Sequence, residues 1–214
     1  MSEQLKIYCG NISEYVDIDG GETLLDLSRK IGQERLGLSF PPICALVNNK
    51  TEPLCYRVFA PKIVRFLDRG SASGLRVYTR SLCMMLYCSV RAVLPGAELR
   101  IEHSIAGGWY CRLFRDGQPL AVDAVILGEL EERMRRLRDA DLPFIRKERL
   151  TEDIRRKFIE EGLDDKVNLL DTLHNLYTTV YRLDGVTDSY YGALAPSTGV
   201  IDIFSLRPYH EGFL

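Results

Sequence analysis

The stretch at residues 75–111 reads LRVYTRSLCMMLYCSVRAVLPGAELRIEHSIAGGWYC, and it decides the fold. Its segment SLCMMLYCSVRAVL, at residues 81–94, is apolar around most of a helical circumference, which predicts a buried core helix that Pro95-Gly96 ends. Its second half has the pattern of a β-hairpin with its turn at residues 106–108. A buried helix followed by a hairpin indicates an α+β domain with an antiparallel sheet.

The residues ahead of this stretch form a separate, smaller pattern. The predicted elements are a hairpin at 5–18, a helix at 24–31 that Gly32 ends, and strands at 44–49, 53–59 and 62–68. Together they predict a β-grasp-like domain, one small sheet over one helix, at residues 1–68. RGSASG, at residues 69–74, is rich in Gly and Ser and predicts a linker to a second domain at residues 75–214.

The remainder of the chain alternates helix and strand patterns. The predicted elements are an amphipathic helix at 123–140, a strand at 143–150, a helix that Thr151 caps and Gly162 ends, a short helix at 164–173, and a hairpin around Asp184-Gly185. The helix at 123–140 carries arginines at 133, 135, 136 and 138 behind three glutamates. They indicate a solvated face with ion pairs, with a nucleic-acid patch as the alternative.

Composition is ordinary for a globular protein, with 46% hydrophobic and 27% charged residues. The net charge of −2 leaves only a local patch as a basis for nucleic-acid binding. No run approaches the roughly 18 apolar residues of a membrane-spanning helix, and the N-terminus has no signal-peptide layout, so a cytoplasmic location is expected. The six cysteines include no C-x-x-C pair and are expected to be reduced core residues.

Two segments of the first part resemble a TGS domain, the small module found in threonyl-tRNA synthetases, some GTPases and stringent-response enzymes. They are GETLLDLSRKI at residues 21–31 and ALVNNKTEPL at residues 45–54. The resemblance implies the β-grasp fold that the strand and helix pattern also predicts.

The second part, from about residue 75 to 207, resembles the editing domain of threonyl-tRNA synthetases. The segments that carry this resemblance are 75–111, LRDADLPFIRKERLTEDIRRKF at 137–158, DDKVNLL at 164–170 and TDSYYGALAPSTG at 187–199. It implies the α+β fold of the second additional domain of threonyl- and alanyl-tRNA synthetases, with an antiparallel sheet.

The metal-ligand motif of that family is missing. The family's His-x-x-x-His pair falls on Arg80 and Met84, and its later Cys and His fall on Tyr190 and Leu194. An arginine, a methionine, a tyrosine and a leucine are not a usable ligand set for zinc. We therefore expect no bound metal, no catalytic residue, and no hydrolysis of mis-charged seryl-tRNA, the reaction that the family performs in this pocket.

Part of the family's pocket is retained. Lys166 and Asp188 match positions that the family keeps, and they form either a surviving polar pocket or a structural ion pair. The candidate ligand pocket consists of Arg80, Ser81, Met84, Lys166, Asp188, Tyr190 and Leu194. Arg80 can pair with a ligand phosphate or carboxylate, or with Asp188 so that it fills the vacated metal site, and we favour the second. The histidines, His103, His174 and His210, lie outside the motif.

A third resemblance is to the N-terminal region of bacterial uridine-kinase-like nucleoside kinases. The segments that carry it are LRIEHSIAGGWYC at 99–111, TDSYYGALAPSTG at 187–199 and RPYHEGFL at 207–214. It implies a non-catalytic binding or regulatory region ahead of a P-loop kinase domain beyond Leu214, where ATP and magnesium would bind. The alternatives are a freestanding editing hydrolase and a tRNA-binding protein. Expected partners are a small-molecule or RNA ligand and the kinase domain; neither a membrane nor DNA is expected.

Overall fold

The computed structural model of the chain describes residues 4–105 and 107–214. Residues 1–3 of the predicted first domain, and Ala106 of the predicted hairpin turn, lie outside the described residues. Within them the fold is α+β, as predicted. No described helix combines the length and apolar character needed to span a membrane.

The first part is a five-stranded sheet over one helix. Its elements are β1 (Gln4–Cys9), β2 (Glu14–Asp19), α1 (Leu24–Ile31), β3 (Cys44–Val47), β4 (Lys50–Pro53) and β5 (Ile63–Leu67). The strand order is β2-β1-β5-β3-β4, in which only β1 and β5 run parallel. Thr23 caps α1 by accepting a hydrogen bond from the Asp26 amide at 3.1 Å, and Leu24 and Leu27 bury its apolar face against the sheet.

The predicted strand at residues 53–59 is wrong. The strand pairing on β3 ends at Pro53, because the Tyr56 amide turns back to donate to the Pro53 carbonyl at 2.9 Å. The chain from there to β5 is turn and loop, with an isolated bridge between Thr23 and Arg57. The apolar positions of PLCYRVF are therefore not those of a strand. Leu54 and Val58 are two separate side chains of this segment that are buried in the core.

The second part packs sheets around a long helix. Its elements are α2 (Ala72–Val93), β6 (Glu98–Ile105), β7 (Gly108–Arg115), β8 (Gln118–Leu120), α3 (Ala124–Asp139), β9 (Ile145–Leu150), α4 (Thr151–Glu160), α5 (Asp164–Leu173), β10 (Tyr177–Leu183), β11 (Val186–Ser189), β12 (Pro208–Tyr209) and β13 (Gly212–Phe213). One antiparallel sheet has the order β11-β10-β9. The other has the order β12-β13-β7-β6, and β8 also pairs with β7.

Two local predictions in this part need correction. Residues 69–74 are not a free linker throughout, because α2 begins at Ala72 and the Ser71 hydroxyl caps it by accepting from the Gly74 amide at 3.0 Å. Thr151 does not cap α4: it is the first helical residue, and its hydroxyl lies 2.8 Å from the Thr178 hydroxyl on the neighbouring strand. The first helix thus starts at a local cap, whereas the first residue of α4 contacts a distant strand.

The arginines of α3 form ion pairs, as we predicted for a solvated helix face. Arg135 and Arg136 pair with glutamates one turn earlier, Arg133 pairs with Asp184, and Arg138 pairs with Asp139. The opposite face of α3 buries Leu127, Leu130, Met134 and Leu137 against α2 and the short helical turn at Thr198–Val200.

Candidate functional site

Two of the four substituted ligand positions lie in the hydrophobic core. The side chains of Met84 on α2 and Leu194 after β11 are fully buried in the cluster that surrounds α2. Apolar side chains thus occupy two positions on which, by the resemblance, the histidines of the editing domain fall. The residues present therefore do not fit a metal ion, and residues 4–105 and 107–214 contain no cluster of three or more His, Cys, Asp or Glu side chains that could hold one.

Arg80 does not pair with Asp188, contrary to our prediction. Its guanidinium donates to the Tyr191 carbonyl at 2.7 Å and to the Arg76 carbonyl at 3.1 Å. It lies directly against Gly192, where φ is +114°, and a Cβ at that glycine would overlap the guanidinium. Burial lowers the pKa of Arg80 from its usual value. Arg80 therefore fastens the loop after β11 to α2.

Two hydroxyl groups complete the attachment of this loop. The Ser81 hydroxyl donates to the Val77 carbonyl and accepts from the Ala195 amide, both at 2.8 Å. The phenol of Tyr181 on β10 donates to the Gly192 carbonyl at 3.2 Å and accepts from the Leu194 amide at 3.3 Å. Residues 191–195, which we call the anchored loop, are thus bound at four backbone positions.

Tyr181 was not among the predicted site residues. An apolar strand position such as this one indicates a core residue, and its phenol finds its partners only through tertiary packing. No local sequence signal identifies it.

Lys166 and Asp188 form an ion pair with an N–O distance of 2.6 Å. The lysine and aspartate side chains are 18% and 8% exposed, and the ammonium group also lies 4.1 Å from the centre of the Tyr87 ring. The same aspartate oxygen accepts from the Ser189 amide at 2.7 Å. Both charges therefore have partners within the protein, as a structural ion pair requires.

These two residues also line a cleft of about 620 Å³, which we call the α2 cleft. It lies between α2, the β6–β7 hairpin and the α4–α5 turn. Among the described residues that line it, five carboxylates outnumber two cations; the carboxylates are Glu98, Asp116, Glu161, Asp165 and Asp188, and the cations are Arg91 and Lys166. Arg91 is bound to Glu161 at 3.0 Å and Lys166 to Asp188, and the three other carboxylates leave the lining with a net negative charge that disfavours a phosphate chain.

Tyr190 separates the α2 cleft from a second cleft on the far side of the anchored loop. Burial raises the pKa of the Tyr190 phenol well above its usual value, and the negative charge of Asp188 raises it further. The phenol is therefore neutral at physiological pH and serves as a hydrogen-bonding and packing group rather than as a proton acceptor.

The predicted pocket residues thus divide into two groups. Lys166, Asp188 and Tyr190 line the α2 cleft. Arg80, Ser81, Met84 and Leu194 belong to the core and to the attachments of the anchored loop. We did not predict that Tyr87 and Arg91 line the α2 cleft. Both follow Met84 on α2 at helical spacings of three and seven residues.

Comparison with known proteins relates the chain to one class of enzyme. No protein-family model matches the chain. The threonine–tRNA ligase (threonyl-tRNA synthetase) of Rubrobacter xylanophilus is 27% identical over 192 residues, which are 90% of this chain and 29% of the ligase. Threonine–tRNA ligase 1 of Bacillus subtilis is 27% identical over 209 residues, which are 96% of this chain and 31% of the ligase.

A third relative, the threonine–tRNA ligase of Halorhodospira halophila, is 30% identical over 144 residues, which are 67% of this chain and 22% of the ligase. The chain therefore spans less than a third of the length of these relatives. The nucleoside-kinase resemblance stays a prediction. Over nearly its whole length the chain is related to part of the threonine–tRNA ligases.

Proposed function

We propose that this chain is a non-catalytic binding module, related to the editing part of threonine–tRNA ligases, that has kept the fold and lost the hydrolytic site. The observation that carries the proposal is the burial of Met84 and Leu194 in the core at two of the four ligand positions. A core side chain neither activates water nor donates a proton. Arg80, at a third position, remains protonated and is engaged with backbone carbonyls.

The first test is deacylation of seryl-tRNA specific for threonine. We expect the chain to release no more serine than buffer alone, whereas an editing-competent threonine–tRNA ligase assayed in parallel releases it rapidly. Turnover by this chain that disappears in Asp188→Ala would identify a surviving hydrolase and overturn the proposal.

The α2 cleft is the proposed ligand pocket of the module. Its excess of carboxylates favours a small molecule with an amino or other cationic group and disfavours a phosphate chain. Titration with serine, threonine, their amides and free nucleosides, followed by thermal unfolding, tests this preference. A ligand that binds the folded state raises Tm with concentration, and no shift with any amine-bearing compound would contradict it.

The ion pair on the floor of this cleft allows binding to be separated from stability. Asp188→Ala leaves the Lys166 ammonium without its partner and should lower the free energy of unfolding by about 3 kcal/mol. The double variant Lys166→Met/Asp188→Leu replaces the pair by apolar groups and should recover most of that loss. If the double variant is stable and still binds the amine-bearing ligand with unchanged affinity, the pair has a structural role only.

A second candidate concerns the longer protein. We propose that the chain is the regulatory N-terminal region of a uridine-kinase-like nucleoside kinase, whose P-loop domain would bind ATP and magnesium. The supporting observations are the resemblance of residues 207–214 to that family and the lost metal-ligand set. The reading frame after Leu214 tests it: a G-x-x-x-x-G-K-[ST] motif is expected, and an aminoacylation core or a stop codon would contradict it.

The remaining alternative is a tRNA-binding protein related to threonine–tRNA ligases. It requires a basic surface whose affinity for tRNA falls steeply as salt concentration rises. The arginines of α3 already have acidic partners, which weakens the case for a patch on that helix. Filter binding of tRNA at 50 and 200 mM salt, which spans roughly the range over which phosphate contacts are lost, would detect such a surface.

A further inference from the structure

The second cleft lies between the two parts of the chain and has a volume of about 450 Å³, which we call the interdomain cleft. One wall is β4 of the small sheet, and the other is formed by β9, β10, the anchored loop and leucines of α5. The lining residues that matter here are Lys50, Arg146, Tyr177, Thr179, Ser189 and Tyr191. Neither the sequence patterns nor the relatives assign this cleft a role.

One side of the interdomain cleft presents two exposed tyrosine rings. Tyr191 is 97% exposed and Tyr177 is 59% exposed. The backbone under Tyr191 is held on both sides, because Arg80 binds the Tyr191 carbonyl and Tyr181 binds the Gly192 carbonyl. A ring on a fixed backbone stacks on a planar ligand with little loss of conformational entropy, and nucleobases are planar ligands of this kind.

The cleft also brings together cations from both parts of the chain. Lys50 on β4 is 80% exposed and pairs with Glu52 at 2.9 Å, and Arg146 on β9 is 34% exposed, pairs with Glu148 at 3.0 Å and donates to Thr179 at 3.1 Å. Ion pairs between exposed side chains are weak, so an anionic ligand can compete with both glutamates. With Glu52 also on the lining, two cations face one carboxylate, and this net positive charge favours an anion.

We propose that the interdomain cleft binds a nucleoside phosphate, with its base stacked on Tyr191 and its phosphate held by Lys50 and Arg146. The hydroxyls of Thr179 and Ser189 line the same cleft and can bond ribose oxygens. A volume of about 450 Å³ suits a ligand of mononucleotide size. The site is distinct from the α2 cleft, where carboxylates predominate, and does not depend on the function proposed above.

Calorimetric titration of the full chain at low salt tests the proposal. The probes are AMP, GMP, CMP and UMP, the four nucleosides, inorganic phosphate and a five-nucleotide single-stranded RNA. We expect at least one mononucleotide to bind more tightly than both its nucleoside and inorganic phosphate. Tyr191→Ala should weaken that binding roughly tenfold, and Lys50→Ala should weaken it several-fold while reducing its salt dependence.

Matched controls exist on the far side of the small sheet. Tyr15 is 74% exposed, and Lys6 is 70% exposed with an acidic partner, as Lys50 has. Tyr15→Ala and Lys6→Ala should leave nucleotide affinity unchanged. Because Tyr191 and Lys50 are largely exposed, their truncation should not unfold the chain, and thermal unfolding verifies this for each variant.

The outcomes are distinguishable. If the RNA binds more tightly than any mononucleotide and shows the same losses in Tyr191→Ala and Lys50→Ala, the nucleoside phosphate is carried by RNA and the site is supported. If no probe binds, if inorganic phosphate binds as well as every nucleotide, or if both variants bind normally, the proposal is overturned. The double variant Lys166→Met/Asp188→Leu changes the α2 cleft and should retain nucleotide binding. The test of the interdomain cleft is therefore independent of the test of the function proposed above.

Discussion

At the scale of single residues, Arg80 and Gly192 depend on each other. Arg80 occupies the space where any other residue at position 192 would place its Cβ, and it binds the carbonyl that precedes this glycine. A glycine is also required there because φ is +114°, which residues with a Cβ rarely adopt. Arg80 is thus a structural attachment of the anchored loop.

This coupling predicts a specific pattern of stability changes. Arg80→Ala should lower the free energy of unfolding by about 1–3 kcal/mol, because it removes charge-assisted hydrogen bonds to two carbonyls. Gly192→Ala should also destabilise, but by less in the Arg80→Ala background, where the steric overlap is gone. Urea unfolding of the two single variants and the double variant measures the difference.

Arg76→Ala is the matched control for this cycle. Arg76 is an exposed arginine one turn earlier on α2, and its side chain donates to the Ser73 hydroxyl at 2.9 Å. Its removal should change stability by less than about 0.5 kcal/mol. Strict additivity of Arg80→Ala and Gly192→Ala would contradict the coupling.

At the scale of elements, two helices begin in different ways. Asp123 caps α3, and its carboxylate accepts from the Ile126 amide at 2.8 Å. Thr151 begins α4 without capping it, and its hydroxyl joins the helix to β10 through Thr178. A local cap stabilises its own helix, whereas a tertiary contact stabilises the packing of two elements.

Substitution distinguishes these roles. Asp123→Ala should cost about 1 kcal/mol, since the Ile126 amide loses its partner. Thr151→Ala should cost less when Thr178 is already alanine, because both substitutions remove the same hydrogen bond. Chemical denaturation of the four variants of the Thr151–Thr178 cycle tests this. A zero coupling energy between them, with a large effect of Thr151→Ala alone, would restore the capping role.

At the scale of the whole molecule, the core continues from one part of the chain into the other. Ile43 and Cys44 at the start of β3 belong to the hydrophobic cluster around α2. Burial raises the pKa values of Cys44, Cys88 and Cys111 to about 12. These thiols are therefore protonated core groups at physiological pH, as their sequence context predicts.

The raised thiol pKa values predict a loss of stability in alkali. Between about pH 9 and pH 12 the unfolded chain releases these protons and the folded chain retains them, so the free energy of unfolding falls as pH rises. Each thiol contributes a slope of roughly 1.4 kcal/mol per pH unit within this window. Urea unfolding in reducing buffer at pH 8, 9 and 10 measures it.

Variants isolate the contribution of the thiols from that of other groups. Cys88→Ala should show a shallower decline in stability above pH 9 than the parent chain, because one buried thiol no longer titrates on unfolding. Cys55→Ser, at an exposed position, is the control and should follow the parent more closely. An identical decline in the parent and Cys88→Ala would show that this thiol is not held protonated by the fold.

The elements with strong periodicity, and the residue types at the four candidate ligand positions, follow from the sequence alone. The core face of α1, the apolar circumference of α2 and the β6–β7 alternation are local patterns, which need no distant partner to be recognised. That Arg80, Met84, Tyr190 and Leu194 are not a usable zinc-ligand set is a matter of chemical identity, so it too was visible before the fold. The strand predicted at residues 53–59 was wrong because a turn forms there. A short apolar alternation is therefore not enough to predict a strand.

Only the tertiary structure decided what those replacements do. The bond from Arg80 to Tyr191 joins residues 111 positions apart, and the bond from Ser81 to Ala195 joins residues 114 apart. It is likewise the packing of β4 beside β9 that creates the interdomain cleft. Contacts at such separations depend on how whole elements pack, and residue spacing along one element carries no information about them. The sequence thus specifies which side chains are present, and the packing specifies which surfaces remain available to a ligand.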